Sequence, residues 1–516
     1  MAPNSSGKAT QPRRIAPPKG TRDLYPEDVL RVRYLQKAWR DTAIRHGFDE
    51  IEGPTFEQAE LYAVKSGDAI LGELFQAFSG KDASEVEVVA RTGRAPFALR
   101  PEFTPTLARM YAARAAQLPK PCRWFTAGPY FRAERPQRGR LREFLQWNVD
   151  VMGVKEGGDF REQGTAEVVS VCVGLFESLG FSPDAVRIKL GSRQAITSDL
   201  RHFGLPDEAD EPVLALLDAR PKMPADAYLE RARVMGLPAP FIEKYHPERR
   251  LVVRLDDTID SLTARYPQFA GEQEEVARSI ARQDEAKRTE GSLQNYLVDA
   301  GLDGWCEFDS MIVRGLAYYT GTVFEAIADG ERAVAGGGRY DNLIELFGGP
   351  TTPAVGFGMG DVVLSLLMGD KGLVPEGPAL MDAVSARSAS VRPEAFVLGA
   401  NDEASEPIVR GLVAQLRRGV ASEAWSDRGG AAWDADRYAV RPLHTRVSSK
   451  TTKNLGKLLA DGEKQGSRFA VVVHDINKVQ LKDLDRREEL AHPIRGDFSA
   501  DPSSEAFVGR AIAERC

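Results

Sequence analysis

The spacing of hydrophobic positions predicts the secondary structure of the first third of the chain. Between residues 24 and 47 apolar side chains recur at helical intervals, which predicts a helix that Asp28 caps and Gly47 ends. Short apolar runs separated by turns follow, and they predict strands of a mainly antiparallel sheet with helices on one side. These runs are residues 97–99, 124–126 and 148–152. Helical spacing then returns at 166–180 and stops at Gly180.

Residues 195–300 differ from their neighbours because they are acidic and helical in pattern. They hold 20 acidic and 14 basic residues, and this net −6 accounts for most of the chain's net charge of −7. The helical pattern is clearest at 272–288, and strand patterns return at 311–328 and 354–358. We therefore predict an acidic helical insertion that interrupts one sheet.

A polar stretch containing glycine and proline, residues 368–392, predicts a linker before a second domain. Strand and helix patterns then alternate, which favours a small α/β domain. Their positions are 395–398, 407–418, 421–425, 454–466 and 469–474.

Composition narrows the class of protein. A chain of 516 residues with 42% hydrophobic and 28% charged residues is typical of a soluble globular protein of several domains. No run approaches the roughly 20 apolar residues of a membrane span. Four separated cysteines with no CxxC pair argue against a disulfide framework and against a cysteine zinc site, which fits a reducing cytosol. The negative net charge argues against a general nucleic-acid coat, although local basic patches remain possible RNA sites.

The first 22 residues are basic and contain no acid. Such a segment cannot bury enough surface to order itself, so we predict a disordered tail over residues 1–18. A transit peptide is the open alternative, because basic, serine-containing and acid-free sequence is its mark; the prolines weaken it.

Residues 131–146 place five arginines within eleven positions, in the sequence FRAERPQRGRLREFLQ. Solvated surface arginines are the ordinary alternative. The density of the pattern favours phosphate recognition, because a guanidinium fork matches two phosphate oxygens. Pro136 and Gly139 bracket a turn, so a strand, loop and strand would present Arg132 and Arg142 toward one pocket.

This run resembles motif 2 of the class II aminoacyl-tRNA synthetases, in the form RxERPQxGRxRxFxQ of the histidyl-tRNA synthetase family. A later run, residues 313–325, resembles that family's RGLDYYTGxxFE segment, although a buried strand packed with tyrosines is the ordinary alternative. Shorter matches follow the family order: GTRD at 20–23, the motif 1 proline Pro54, RPEFT at 100–104 and GGGRYD at 336–341.

The resemblance assigns site residues. It implies that Arg132 and Arg314 act at the reacting α-phosphate, and that Glu134, Arg140 and Arg142 join Arg132 in binding ATP. The residues implied for histidine are Glu102, Phe103, Thr104, Arg132, Gln146, Asp150, Arg314, Tyr318 and Tyr319. Within that set, Glu102 and Thr104 would take the α-amino group, and the two tyrosines would line the imidazole pocket. No metal site made by protein ligands alone is expected.

Two positions depart from the family pattern. Motif 3 normally ends in an arginine that meets the γ-phosphate, as GxxxGxxR, and Val363 stands at that position here. Ala317 replaces the usual aspartate. A Mg²⁺ ion or another arginine, such as Arg140 or Arg142, is a hypothesis for how the missing charge is supplied.

The resemblance implies an α+β class II synthetase catalytic domain (an antiparallel sheet with flanking helices), a helical insertion and a C-terminal α/β anticodon-binding domain. The predicted boundaries are 19–194 and 305–375 for the catalytic domain, 195–304 for the insertion, 376–393 for the linker and 394–516 for the last domain. The basic residues between 437 and 457, with His444, are the predicted RNA surface of that last domain.

The implied activity is a cytoplasmic, homodimeric histidine–tRNA ligase that uses ATP and Mg²⁺. It would form histidyl-adenylate from L-histidine and transfer histidine to the 3′ end of tRNA(His). Two alternatives remain: a catalytically silent, histidine-sensing regulatory paralogue, which Val363 favours, and a pure RNA-binding protein. Paralogues of the first kind usually lack the C-terminal module and the arginine found here as Arg314.

Overall fold

The computed structural model describes most of the chain. The described residues are 15–66, 74–153, 160–248, 252–266, 281, 284–285, 287, 292–314, 318–328, 332–400, 405–422, 438–448, 450, 452 and 454–516. Most of the predicted tail, most of the predicted helix 272–288 and Ala317 lie outside these ranges.

The first helix, α1, spans Pro26–Arg45 and buries Trp39 and Ile44 against the main core. The sequence pattern suggested Asp28 as the N-cap of this helix, but Tyr25 occupies the N-cap position. Asp28 occupies the third helical position, and its carboxylate accepts a hydrogen bond from the backbone N–H of Tyr25 at 3.1 Å. Gly47 follows the helix with φ of +83°, a conformation that favours glycine at a helix end.

A nine-stranded mixed sheet forms the centre of the molecule, in the order β1-β5-β6-β12-β11-β10-β7-β9-β8. Only β1 with β5 and β7 with β9 pair in parallel, so the mainly antiparallel sheet is confirmed. The predicted strand 97–99 forms, but in a separate three-stranded sheet, β2-β4-β3. The strands up to this point are β1 (Asp49–Glu50), β2 (Phe56–Gln58), β3 (Gln76–Ala77), β4 (Phe97–Leu99), β5 (Cys122–Phe131), β6 (Glu143–Met152), β7 (Arg187–Ser192), β8 (Val252–Arg254), β9 (Cys306–Asp309), β10 (Thr322–Ile327), β11 (Ala335–Arg339) and β12 (Ala354–Gly360).

Helices of the main core cover one face of this sheet; we call the opposite face the open face, and a second core around residues 103–111 packs on part of it. On β6, Trp147, Val149 and Val151 point into the helix-covered core, so the alternate residues point to the opposite face. Helices α1, α5 and α13 pack on the covered face. The helices of this part are α2 (Ala59–Ser66), α3 (Ala83–Thr92), α4 (Thr104–Ala112), α5 (Phe160–Ser178), α6 (Arg193–His202), α7 (Asp210–Ala219), α8 (Ala225–Val234), α9 (Ala239–Lys244), α10 (Ile259–Arg265), α11 (Leu293–Asp299), α12 (Leu343–Leu346), α13 (Asp361–Asp370) and α14 (Gly377–Ser385).

The helical insertion is smaller than the predicted range 195–304. Helices α6 to α9 share their own core, which includes Leu200, Leu217 and Phe241. The later residues return to the main body: β8 joins the edge of the large sheet, and α11 buries Leu293 and Leu297 in the main core. Burial of these side chains explains why the acidic segment does not stay separate throughout.

Two further predictions are corrected. The strand expected at 311–328 begins only at Thr322, because residues 312–314 cross over the sheet instead of pairing within it. The first half of the linker 376–393 is helical: α14 packs on α1 and buries Leu380 and Ala383. Composition alone did not reveal this short apolar face.

The C-terminal part is an α/β unit with the sheet order β16-β13-β17-β18-β19. Strand β13 pairs in parallel with both β16 and β17, as expected for strands joined by helices. Among the described residues, no helix is long and apolar enough to cross a membrane. The elements are β13 (Ala395–Gly399), α15 (Glu406–Arg418), β14 (Val420–Ala421), β15 (Tyr438–Val440), β16 (Thr445–Val447), α16 (Leu455–Lys464), β17 (Phe469–Asp475), β18 (Lys478–Asp483), β19 (Glu488–Leu490) and α17 (Val508–Arg515).

Candidate active site

A floor of glycines on the open face of the large sheet makes room for polar side chains. A methyl group at Gly336 would overlap the guanidinium of Arg314, and one at Gly356 would overlap the carboxylate of Asp150. Gly358 lies beneath Gln146, whose Nε2 would be 2.9 Å from an added Cβ. Gly336 and Gly358 are register partners on β11 and β12, so Arg314 and Gln146 occupy neighbouring places.

Strand β6 supplies a row of buried polar groups on this face. Gln146 donates to Asn148 Oδ1 at 2.7 Å, and Asn148 in turn donates to the hydroxyl of Tyr130 at 3.0 Å. Two residues further on, Asp150 accepts a hydrogen bond from the Tyr340 hydroxyl at 2.6 Å. Each of these side chains is held in one orientation, as a specific pocket for a polar ligand requires.

Asp150 is a carboxyl group with an unusual ionisation. Its residue is only 4% exposed. Burial raises the pKa of Asp150 to about 7, and the hydrogen bond from Tyr340 opposes the shift only in part. A buried carboxyl that changes charge near neutral pH beside other fixed polar side chains marks a candidate functional group.

Arg314 reaches the same face from a strained position. Its φ is +56°, which is uncommon outside glycine, and its Nη1 donates to Glu325 Oε1 at 2.8 Å. The backbone before it crosses β7 at Gly191, where an added Cβ would overlap the carbonyl of Ile312. A backbone conformation of this kind persists only where the surrounding structure enforces it, and such residues concentrate in active sites.

Two tyrosines follow Arg314 and form an aromatic wall. The rings of Tyr318 and Tyr319 have centroids 4.7 Å apart, and Tyr319 also lies beneath the Arg314 guanidinium, 5.9 Å from it. The Tyr318 hydroxyl donates to Glu102 Oε2 at 3.4 Å. Glu102 therefore joins the tyrosines and Arg314 in one cluster, and Thr104 begins helix α4 next to it.

Phe103 stands between Glu102 and Thr104, and its ring lies in a core against which Tyr318 also packs. The residue is fully buried in a second core together with Leu107, Tyr111 and Tyr130. Its ring lies 5.7 Å below the guanidinium of the buried Arg100. The contact of Phe103 with histidine stays a prediction, and the buried ring fixes the segment that carries Glu102 and Thr104.

The arginine-rich run forms a hairpin between β5 and β6, and the strand, loop and strand follow the predicted pattern. The backbone N–H of Arg132 bonds to Arg142 O at 2.9 Å, so the two arginines lie directly opposite each other. Arg132 also donates to Pro101 O at 3.1 Å, which ties the hairpin to the segment of Glu102. Arg140 pairs closely with Glu134, and the hairpin turns at Gly139 with φ of +77°.

Four residues of this site were not singled out in the sequence: Tyr130, Asn148, Glu325 and Tyr340. Asn148 was within reach of sequence reasoning, because residues two apart on a strand share a face and Gln146 and Asp150 flank it. Tyr340 lies in the recognised GGGRYD segment, but only the fold brings its hydroxyl to Asp150. Nothing in the local sequence pairs Glu325 with Arg314.

Comparison with known proteins identifies related chains. The family model described as histidyl-tRNA synthetase matches residues 20–360. A histidine–tRNA ligase of Opitutus terrae is 37% identical over 358 residues, which are 69% of this chain and 75% of that protein. The chloroplastic/mitochondrial histidine–tRNA ligase of Arabidopsis thaliana is 34% identical over 364 residues, 70% and 68% of the two chains.

Two solved structures are similar in fold. Histidyl-tRNA synthetase from Nostoc sp. PCC 7120 has a TM-score of 0.51 at 20% identity, covering 98% of this chain and 100% of that one. A histidine–tRNA ligase subunit from Alicyclobacillus acidocaldarius has a TM-score of 0.50 at 22% identity, covering 73% and 100%. At these identities the likeness establishes the shared fold: a class II catalytic sheet with flanking helices and a C-terminal α/β unit.

Proposed function

The chain belongs to the histidyl-tRNA synthetase family, and on that premise we propose that the open face of its large sheet is where histidine is activated and transferred to tRNA. Ligation of histidine to tRNA is the reaction of relatives 34–37% identical over most of the chain, and it is the reaction of this protein. The residue roles that follow are the proposal.

The first half-reaction joins two anions. A carboxylate oxygen of histidine attacks the α-phosphorus of ATP, the bond from that phosphorus to the bridging oxygen breaks, and pyrophosphate leaves with the electron pair. Fixed positive charge therefore matters more than a protein base. We assign this charge to Arg132 and Arg314, which approach the open face from the hairpin and from the strained segment respectively.

The second half-reaction uses the same face. A hydroxyl of the terminal adenosine of tRNA attacks the carbonyl carbon of the adenylate, and AMP leaves. The β5–β6 hairpin, with exposed Arg135 and Arg138 near its tip, is the surface that we assign to the incoming acceptor end.

The histidine pocket lies between the polar row of β6 and the aromatic wall. Glu102 and Thr104 would bind the α-amino group, while Gln146 and Asp150 would hydrogen-bond the imidazole against Tyr318 and Tyr319. This assignment is supported by the fixed orientation of each donor and acceptor, since a site built to hydrogen-bond a polar ring rejects analogues that lack it.

ATP would lie toward the hairpin, bound by Arg132, Glu134, Arg140 and Arg142. Among the described residues no three His, Cys, Asp or Glu side chains cluster to hold a metal. Magnesium is therefore proposed to arrive as the ATP complex, held chiefly by phosphate oxygens.

The observation that carries the proposal is the glycine floor, because Gly336, Gly356 and Gly358 have room only for the side chains of Arg314, Asp150 and Gln146. The test is histidine-dependent exchange of label between pyrophosphate and ATP, followed by charging of tRNA(His). Both activities are expected. Histidine binding without exchange would instead identify a silent regulatory paralogue, and RNA binding without either activity would identify an RNA-binding protein.

A basic cleft between the catalytic and C-terminal parts supports a tRNA contact. It has a volume of about 1110 Å³, and its lining contains seven cations against two acids, Asp49 and Asp461. The cations are Lys120, Arg123, Arg417, Arg446, Lys450, Lys457 and Lys464. The proposed RNA surface differs from the range 437–457: Arg441 pairs with Glu394 and His444 is buried, while the surface gains Arg417, Lys464 and the two cations of the catalytic part.

Charge reversal tests this contact. The double variant Lys120→Glu/Lys464→Glu is expected to raise the KM for tRNA about tenfold or more and to make that KM less dependent on salt, with pyrophosphate exchange unchanged. Lys478→Glu, an exposed site elsewhere on the C-terminal unit, is the control. An unchanged KM for tRNA in the double variant would exclude the cleft as an RNA surface.

A homodimer is also proposed. Near the motif 1 proline, Pro54, several large apolar side chains are exposed, and α3 buries none of its residues although it carries an apolar stripe. The exposed side chains are Phe56, Phe78, Val86 and Val88. Sedimentation at a mass near twice 56.6 kDa is expected, and a monomer at assay concentration would exclude the dimer. Four free thiols fit a reducing compartment such as the cytoplasm.

A further inference from the structure

Three segments meet at the ends of the central strands β6, β12 and β11, where the β5–β6 hairpin lies. Gly360 at the end of β12 is the register partner of Gln146 near the start of β6, and Met359 is the partner of Ala335 at the start of β11. The β5–β6 hairpin, the first turn of α13 and the residues just before β11 are therefore neighbours. Val363 lies in the second of these segments and Arg332 in the third.

The tip of the hairpin touches both residues. A Cβ added at Gly139 would lie 3.3 Å from Val363 Cγ2 and 3.8 Å from Arg332 Cδ. Arg332, just before β11, is thus a cation beside Val363, the position that the motif 3 pattern GxxxGxxR fills with an arginine. Gly139, Arg332 and Val363 are far apart in the sequence, so only the folded chain shows that they lie close together.

Other arginines near this edge are already engaged. Arg22 pairs with the buried carboxylate of Asp361 at 2.7 Å, and Asp361 also accepts the backbone N–H of Leu145. Arg140 pairs with Glu134, and Arg138 lies 3.3 Å from Asp370. Within the described part of the chain, the exposed guanidinium of Arg332 has neither an ion pair nor a hydrogen bond. Arg332 can therefore take up a ligand without first breaking a bond to a described residue.

We infer that Arg332 binds the β- and γ-phosphates of ATP and the pyrophosphate that leaves, in place of the cation that Val363 lacks. The inference rests on the proposed function. When the α-phosphorus to oxygen bond breaks, negative charge grows on the departing pyrophosphate. A guanidinium fork at the hairpin tip neutralises that charge without touching histidine or the adenine.

Arg332→Ala, measured in histidine-dependent ATP–pyrophosphate exchange, is the main test. The KM values for ATP and for pyrophosphate are expected to rise about tenfold to 10²-fold, while the KM for histidine and the affinity for AMP stay unchanged, because AMP lacks both outer phosphates. Arg332→Lys should recover part of the loss, since a point charge replaces the fork. Arg233→Ala, an exposed arginine on α8, serves as the matched control.

The decisive variant moves the positive charge from position 332 to position 363. Arg332→Ala/Val363→Arg is expected to restore most of the ATP KM, because the new guanidinium would start from the residue that touches the same hairpin tip. The inference is overturned if Arg332→Ala keeps the wild-type KM for ATP, or if AMP affinity falls as much as ATP affinity. Wild-type protein without any exchange activity would instead contradict the proposed function, so the two failures are distinguishable. Circular dichroism on each variant checks folding.

Discussion

The surrounding structure holds Arg314 in a left-handed backbone conformation that arginine rarely adopts. A left-handed backbone conformation costs an arginine on the order of 1–2 kcal/mol. The ion pair with Glu325 and the space above Gly336 fix its guanidinium over the open face. The strained backbone of Arg314, together with the space that Gly336 leaves for its guanidinium, is consistent with a catalytic role.

Replacing Arg314 by alanine should therefore lower the rate of histidine activation more than the stability of the fold. We expect histidine-dependent exchange to fall by about 10²–10³, the usual effect of losing one preorganised charge in a transition state. Arg487→Ala is the matched control, because Arg487 is the other described non-glycine residue with positive φ (57°) and lies on an exposed turn of the C-terminal unit. A loss below tenfold for Arg314→Ala would contradict its assigned role.

Asp150 predicts a pH dependence. Its pKa of about 7 lies above the usual value for aspartate, so the carboxylate that would accept an imidazole N–H forms only as pH rises through 7. We expect kcat/KM for histidine to rise between about pH 6 and 8. Asp150→Asn should lose most of the activity. It should also lose the part of the pH-dependent rise in kcat/KM that comes from ionisation of Asp150.

Free histidine titrates in the same range, so a second variant is needed to assign the rise. Tyr340→Phe removes the hydroxyl that lowers the pKa of Asp150, and the inflection should move to higher pH. The titration of the substrate cannot move in this way. An inflection at the same pH in wild type and Tyr340→Phe would rule out Asp150 as its source.

At the scale of single elements, sequence pattern was a good guide where one face was buried. The strand predicted at 148–152 forms within β6, and the strand period of two puts Trp147 and Val149 on the face opposite to Gln146 and Asp150. The sequence pattern failed for α14, where only Leu380 and Ala383 are buried and apolar Met381 is exposed, so no clear helical stripe stands out. It also placed a strand through Arg314, since β-branched and aromatic residues flank a segment whose path is set by Gly191 far away in sequence.

The glycine floor can be tested on one strand. In Gly336→Ala the new methyl group would overlap the guanidinium of Arg314, so exchange should fall by about 10²-fold, much as for loss of Arg314 itself. Gly369→Ala, where nothing lies within 4 Å of the added Cβ, should keep full activity and stabilise α13 by up to about 1 kcal/mol. Equal activity in the two variants would mean that the floor has room for a side chain.

At the scale of the whole molecule, sequence pattern separates the two parts of the chain but not the contacts between them. Single charged residues make these contacts: Arg446 pairs with Asp49 at 2.6 Å and Arg410 with Asp299 at 2.5 Å. No local pattern distinguishes such arginines from those on the solvated surface. Their partners lie more than one hundred residues away, so only the folded chain reveals them.

Glu167 on α5 is the most buried link between the two parts, and its removal is the sharpest test of their attachment. It accepts Arg123 Nε at 2.7 Å and lies 3.5 Å from Arg417 of α15. Burial acts to raise the pKa of Glu167, but the two guanidinium groups outweigh it and leave the pKa below its usual range. The stabilisation is therefore complete above the usual pKa of glutamate, about 4.3, and is lost as pH falls through the lower folded value.

Glu167→Gln leaves two nearly buried guanidinium groups without their carboxylate, which typically costs about 3–5 kcal/mol. We expect urea denaturation at pH 7 to begin at lower urea in this variant, with the C-terminal part released first. The control is Arg31→Ala, which breaks an exposed pair with Glu27 one helical turn away and should cost only about 0.3–0.5 kcal/mol. If both variants unfold at the same urea concentration, the buried triad does not attach the C-terminal part. If Glu167→Gln loses its difference from wild type only as pH falls below about 4, the carboxylate charge itself is what holds the two parts together.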